Sequence, residues 1–248
     1  MQSLLLIQTG EAPEVVRAQF GGFAEWFRSA MRLQPAQMRV VRVDEGETLP
    51  HPGEVSGAVI TGSAAMVTER ADWSERTADW IRAAMDVQTP LFGVCYGHQL
   101  MAHALGGRVD VLPGGREVGT QDIEVFETGA DDHLLAGLPM HFAAHTTHVQ
   151  SVLEAPTDAQ VLARSARDPH HILRYGPNAF STQLHPEFST AVMRAYLRLR
   201  ADNLRSESLD VAALLDAVRA TPHARRLLRR FALQTTTMST SCSMDAVA

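Results

Sequence analysis

Leu91-Phe92-Gly93-Val94-Cys95-Tyr96-Gly97-His98-Gln99-Leu100 is the stretch from which the fold can be read outward. Leu91–Val94 is short and apolar, the mark of a strand buried on both faces. Leu100, Met101, Ala104 and Leu105 then recur at helical spacing until Gly106-Gly107 stops the helix. Glycines two before and two after Cys95 permit a tight strand-to-helix turn, which lifts the cysteine above a sheet. A thiol placed there meets the N–H groups of a helix start, and these favour the thiolate, the form that attacks. A buried structural cysteine between ordinary glycine turns is the alternative. The strand–turn–helix setting favours the nucleophile.

The flanking sequence repeats the same alternation. Residues 3–8 form an apolar run ending at Thr9-Gly10. Pro13 can open a helix carrying Val16, Phe20, Phe23 and Phe27 on one face, although Gly21-Gly22 weakens it. Met38–Val43 and Ala58-Val59-Ile60 read as strands. Asp72 can cap a helix whose face holds Trp73, Thr77, Trp80 and Ile81, the two tryptophans serving as core or site wall. Strands alternating with helices predict an α/β fold: three layers, a mostly parallel sheet flanked by helices, and ligands at the carboxyl ends of the strands. From Gly119 to His185 the runs Ile123–Phe126, Phe142–His148, Val161–Ala163, Ile172–Tyr175 and Ala179–Leu184 predict an added antiparallel β section. Helical spacing returns over 191–204 and 211–233. Arg225, Arg226, Arg229 and Arg230 on the last helix read as a solvated face. The expected division is a main domain over 1–205, a C-terminal helical extension over 206–233 and a disordered tail over 234–248.

Composition narrows the chemistry. All 22 positive charges of the 248 residues are Arg. Without lysine there is no Schiff base, P-loop or kinase-type phosphate chemistry. A net charge of −6 argues against nucleic acid as a partner. Of the two cysteines, Cys242 lies in the polar tail, so a disulfide framework is not expected. The N-terminal apolar run is too short for a signal peptide, and no stretch approaches a membrane span. A cytoplasmic protein is expected.

A thiolate nucleophile needs a base, and the base an orienter. Gln183-Leu184-His185-Pro186-Glu187 ends a strand-like run, and Pro186 keeps His185 out of a helix. Residues two apart in extended chain share a side, so Glu187 can hold the imidazole of His185. Attack on a carboxamide creates an oxyanion. The backbone N–H of Tyr96 and the turn Thr61-Gly62-Ser63 can supply its donors. His141, His145 and His148, with His170-His171, are residue types that bind zinc. On a strand, however, His148 points opposite the other two, against a shared ion. No cofactor is implied.

With these pieces together, the sequence resembles the class I glutamine amidotransferases, of the free-standing, GMP-synthase-like kind. The matching stretches are Gly57–Ser63, Gly93–Gln99, Gly114–Gly119 and Gln183–Phe188. The resemblance implies the flavodoxin-like fold of that family and a catalytic triad of Cys95, His185 and Glu187. It implies an oxyanion hole from Gly62 or Ser63 with Tyr96. It places Gln99 and the segment from His148 through Gln150, Ser151 and Val152 near a small-molecule substrate, glutamine or a related γ-glutamyl compound. Gln150 stands where the larger synthases often carry an acidic residue. About 60 residues follow His185, and they leave no room for an ATP-using, ammonia-accepting domain. The expected reaction is therefore release of ammonia to a separate synthase subunit, or γ-glutamyl hydrolysis with water as the acceptor. A binding module that merely retains the fold is the remaining alternative.

Overall fold

The computed structural model describes residues 2–244, with side chains described through Thr235. The chain begins with β1 (Leu4–Gln8), α1 (Glu14–Phe20), α2 (Phe23–Met31), β2 (Met38–Arg42) and β3 (Ala58–Ile60). There follow α3 (Asp72–Asp86), β4 (Leu91–Val94) and α4 (Tyr96–Ala104). The middle contributes β5 (Arg108–Val111), β6 (Glu117–Val125), the single turn α5 (Glu127–Ala130), β7 (His141–His148), β8 (Gln150–Glu154), β9 (Gln160–Arg164), β10 (Ile172–Arg174) and β11 (Ala179–Thr182). It ends with α6 (Thr190–Leu199), α7 (Ala201–Ser206), α8 (Val211–Asp216) and α9 (Pro222–Met244).

One sheet of nine strands has the order β2-β1-β3-β4-β11-β10-β9-β6-β7, and β5 pairs with β8 apart from it. The first five in that order run parallel; β10, β9, β6 and β7 extend the same sheet in antiparallel pairs. The predicted antiparallel section is thus continuous with the parallel one. Strand β1 shows why three layers form. Leu4 and Leu6 enter one apolar cluster with α2, α6 and α9, while Leu5 and Ile7 enter another with α3 and α4. Alternate side chains go to opposite faces, so a strand apolar throughout needs a helical layer on each.

Three predicted helices are each split in two, the run over 191–204 dividing at Arg200 into α6 and α7. Gly21, at φ 77°, ends α1, and α2 starts afresh at Phe23. Pro222 opens α9, because its missing N–H is tolerated in a first turn and not within a helix. Residues 206–233 lie against the sheet: Leu227, Leu228 and Phe231 belong to the main core, and the Phe231 ring stands 5.4 Å from that of Phe92 on β4. The expected tail also needs correction. Gln234 and Thr235 continue α9, Thr235 is buried with its hydroxyl donating to the Ala232 carbonyl, and the helix runs to Met244. Residues 245–248 and the Cys242 side chain lie outside the described residues. Nor is the arginine row merely solvated. Arg225 donates to Ser29 Oγ and the Glu187 carbonyl, and Arg230 to the Leu134 carbonyl. Among the described residues no helix is long and apolar enough to cross a membrane.

Candidate active site

Cys95 forms the corner between β4 and α4 at φ 53° and ψ −100°, a conformation that costs a non-glycine residue roughly 1–3 kcal/mol. Its surroundings enforce it. The Cys95 N–H donates to the Thr182 carbonyl at 2.8 Å, and the Gly97 N–H to the Thr61 carbonyl at 3.0 Å. A methyl group at Gly93 would lie 2.6 Å from the Gly97 carbonyl oxygen, and one at Gly97 would lie 2.9 Å from Ile60 Cβ. Only glycines let strand and helix approach this closely around the cysteine.

His185 hangs from the neighbouring strand. β11 pairs with β4 in parallel register, Thr182 opposite Val94, and the chain continues three residues to His185. The His185 N–H donates to the His145 carbonyl at 2.8 Å, and the ring stacks on Phe188 with centroids 4.2 Å apart. Nδ1 and Glu187 Oε1 lie 2.7 Å apart, both side chains buried. This leaves Nε2, which has no hydrogen-bond partner, for Cys95. Burial alone would push the imidazole pKa down. The negative charges of Glu187 and Cys95 outweigh burial and raise it to about 10. Gly62 closes the third side. A methyl group there would sit 3.2 Å from His185 Cε1 and 3.5 Å from Cys95 Cβ. The Tyr96 N–H occupies the first helical position, where no intrahelical carbonyl can take it.

Cys95 lines two cavities. One, of about 280 Å³, is walled by Tyr96, Gln99, Arg116, His148 and Gln150. The other, of about 230 Å³, includes Gly62, His185, Phe188 and Tyr196. Ser63, Thr147 and Arg200 border both. The candidates Cys95, His185, Glu187, Gly62, Ser63 and Tyr96 therefore converge, as do Gln99, His148 and Gln150. Gln99 serves as wall, since its amide donates to the Gln150 carbonyl (2.6 Å) and Gln183 Oε1 (3.0 Å). The Gln150 amide donates to Thr68, and its Oε1 is buried without a partner. Ser151 and Val152 do not line the cavity. Ser151 donates to Asp168, and Val152 packs into the apolar core behind it. Arg116 is already held by Glu207 Oε2 (2.9 Å) and Oε1 (3.0 Å). Thr147 and Arg200 escape a reading of sequence alone, because only folding brings the α6–α7 junction against β7.

Behind this site lies a second polar group. Of the histidines weighed as zinc ligands, His141 is exposed, and His145 faces Thr120. His148, His171 and Glu117 instead meet within 4.8 Å, on the opposite face of β7 from His145. His171 Nε2 lies 2.7 Å from Glu117 Oε2, Ser165 donates to Glu117 Oε1 at 2.5 Å, and His148 Nε2 lies 3.2 Å from Asp168 Oδ2. Burial lowers the pKa of His98 to about 3 and of His145 to about 4, and also lowers that of His148 despite Asp168. A lowered histidine takes its proton only in the unfolded chain between the two pKa values, so acid favours unfolding. His98 and His145 each cost up to ~1.4 kcal/mol of stability per pH unit between about 6.5 and their lowered values, and His148 acts in the same direction. The urea midpoint is therefore expected to fall from pH 7 to pH 5; an unchanged midpoint would contradict neutral burial of these rings.

The match to known families follows this geometry. The model of class-I glutamine amidotransferases matches residues 19–202, most of the chain. The chain belongs to the class-I glutamine amidotransferase family. It is similar to a glutamine-hydrolysing GMP synthase of Aeropyrum pernix, 32% identical over 187 residues, which cover 73% of this chain and 34% of that protein. The chain thus spans about a third of that relative. γ-Glutamyl peptidase 4 of Arabidopsis thaliana is 27% identical over 195 residues, 77% of each chain. A glutamine amidotransferase structure from Methylobacillus flagellatus superposes with a TM-score of 0.77 at 20% identity, covering 96% of this chain and 95% of that one, a likeness of fold. As a class I glutamine amidotransferase, the chain combines the family's parallel sheet with the Cys95 corner at its carboxyl end.

Proposed function

We propose that this amidotransferase hydrolyses the γ-carboxamide of glutamine or a related γ-glutamyl amide, with Cys95 as nucleophile, His185 as acid and base, and Glu187 as the residue that orients His185. The observation that carries this is the pairing of a strained, helix-capping cysteine with a carboxylate-bound imidazole from the adjacent strand. The Cys95 thiolate attacks the carbonyl carbon, and the Tyr96 N–H with that of Gly62 or Ser63 receives the oxyanion. Each such donor lowers the barrier by roughly 3 kcal/mol. The C–N bond breaks as His185 Nε2 gives its proton to the departing nitrogen, leaving a γ-glutamyl thioester. His185 then takes a proton from water, which attacks the thioester and releases glutamate. Gln99, His148 and Gln150 stand where the γ-glutamyl half fits, and Ser151 and Val152 support them from behind.

Similarity to a GMP synthase supports a second reading, in which a separate subunit accepts the ammonia. Glutaminase turnover would then rise when that subunit is added. Incubating the purified chain with glutamine, a γ-glutamyl dipeptide and a γ-glutamyl alkylamide tests the chemistry. Equal amounts of glutamate and free amine or ammonia are expected by amino-acid analysis. No glutamate from any of the three overturns it.

A further inference from the structure

The cavity that contains His185 is larger than ammonia release demands. His185 must protonate the leaving nitrogen, so the leaving group lies on its side of Cys95, and the γ-glutamyl half takes the cavity walled by Gln99 and Gln150. Ammonia, like water, needs about 30 Å³; this cavity holds about 230 Å³. Pro13, Phe23, Phe188 and Tyr196 make its wall apolar. Besides Cys95 and His185, two charged groups border it, and they differ. The Glu11 carboxylate is engaged, accepting from the Ala12 N–H (2.8 Å), the Phe23 N–H (3.3 Å) and the Gln8 amide (3.1 Å). Arg200 has donors to spare. Its guanidinium gives one hydrogen bond, to Thr147 Oγ1 at 3.2 Å, and lies 5.5 Å from the Tyr196 ring centre. No carboxylate pairs with it among the described residues, whereas Arg116 nearby is held bidentately by Glu207. Burial pushes its pKa below the usual arginine value, though guanidinium remains charged in proteins. A half-buried, unpaired cation beside an apolar wall complements an organic acid with an apolar body.

We propose that this second cavity is a leaving-group subsite for α-amino acids with apolar side chains, and that Arg200 binds their carboxylate. The substrates would be γ-glutamyl amino acids. This rests on Cys95 and His185 acting as proposed above. The carboxylate of such a leaving group sits on the carbon bonded to the scissile nitrogen, near Cys95, and Arg200, like Cys95, borders both cavities. The γ-glutamyl carbon exchanges its C–N bond for a C–S bond, the nitrogen leaves with the His185 proton, and water later cleaves the thioester. The amino acid departs with its carboxylate unchanged.

The test compares γ-glutamyl-leucine with γ-glutamyl-isopentylamide, which has the same body without the carboxylate, and uses glutamine turnover to report the acyl chemistry. Wild-type kcat/KM is expected to favour the acid by about tenfold or more, the worth of a charge-assisted hydrogen bond. In R200Q that ratio falls to about one, chiefly through a higher KM for γ-glutamyl-leucine, and R200K recovers part of it. A wild-type ratio near one overturns the subsite. So does a ratio that R200Q leaves intact, which would put Arg200 on the γ-glutamyl half. Should R200Q fail to fold, the wild-type ratio and R200K decide. Loss of turnover on all three substrates in the wild type would instead overturn the Cys95 chemistry, and glutamine reports that separately.

Discussion

Replacing Cys95 by serine is expected to abolish glutamate release, with kcat lower by roughly 10⁴–10⁶. Serine fits the corner, since the φ 53° conformation is imposed by the backbone bonds of Cys95 and Gly97 and not by the sulfur. The loss is therefore chemical. A serine hydroxyl holds its proton far more tightly than a thiol and supplies no ready anion to attack, so the variant holds its substrate without forming an acyl bond. Acid-quenched intact-protein mass spectrometry should find a γ-glutamyl adduct on the wild type and none on Cys95→Ser. Retention of a hundredth of the wild-type rate would show that another group is the nucleophile.

His185→Asn is expected to cost nearly as much, roughly 10⁴ in kcat, because the same ring must protonate the leaving nitrogen and later activate water. It also changes the thiol, and this separates catalysis from binding. In the wild type the His185 pKa is raised, so the imidazolium is present at neutral pH and is lost only as pH rises through about 10. Iodoacetamide should thus alkylate Cys95 readily at pH 7, with the imidazolium beside it. Without the cation the rate at pH 7 should drop by about tenfold or more. Identical alkylation rates would mean that the two side chains do not act as a pair.

The parts of this site that were legible in the sequence are local. The Cys95 corner needs glycines two before and two after it, and Glu187 reaches His185 because residues two apart share a side of an extended chain. The alternating halves of β1 likewise foretold a sheet covered on both faces. What escaped depends on distant partners. Strands β5 and β8 carry little periodic signal; β5 is largely exposed, and the pair forms only when Val109 meets Val152. Residues 150–152 alternate in strand fashion, but which of them faces the cavity depends on Asp168 and the core beyond. Arg200 looked like one more polar position in a helical run until α6 ended at Leu199 and turned its guanidinium toward Thr147. The arginine-only composition excluded lysine chemistry, but said nothing of which arginine would lack a carboxylate.

The alignment of β4 and β11 has a consequence for how the gene can change length. Thiol and imidazole extend from adjacent strands whose ladder pairs Leu91 with Ala179 and Val94 with Thr182. One residue inserted within either strand would slide every later side chain to the opposite face and part the two groups. An insertion at Gly176-Pro177, before the Asn178 carbonyl takes the Leu91 N–H at 2.9 Å, leaves its phase untouched. Insertions and deletions should therefore be tolerated at that turn and excluded from the seven residues 179–185, a boundary that a library of single-codon insertions would trace residue by residue.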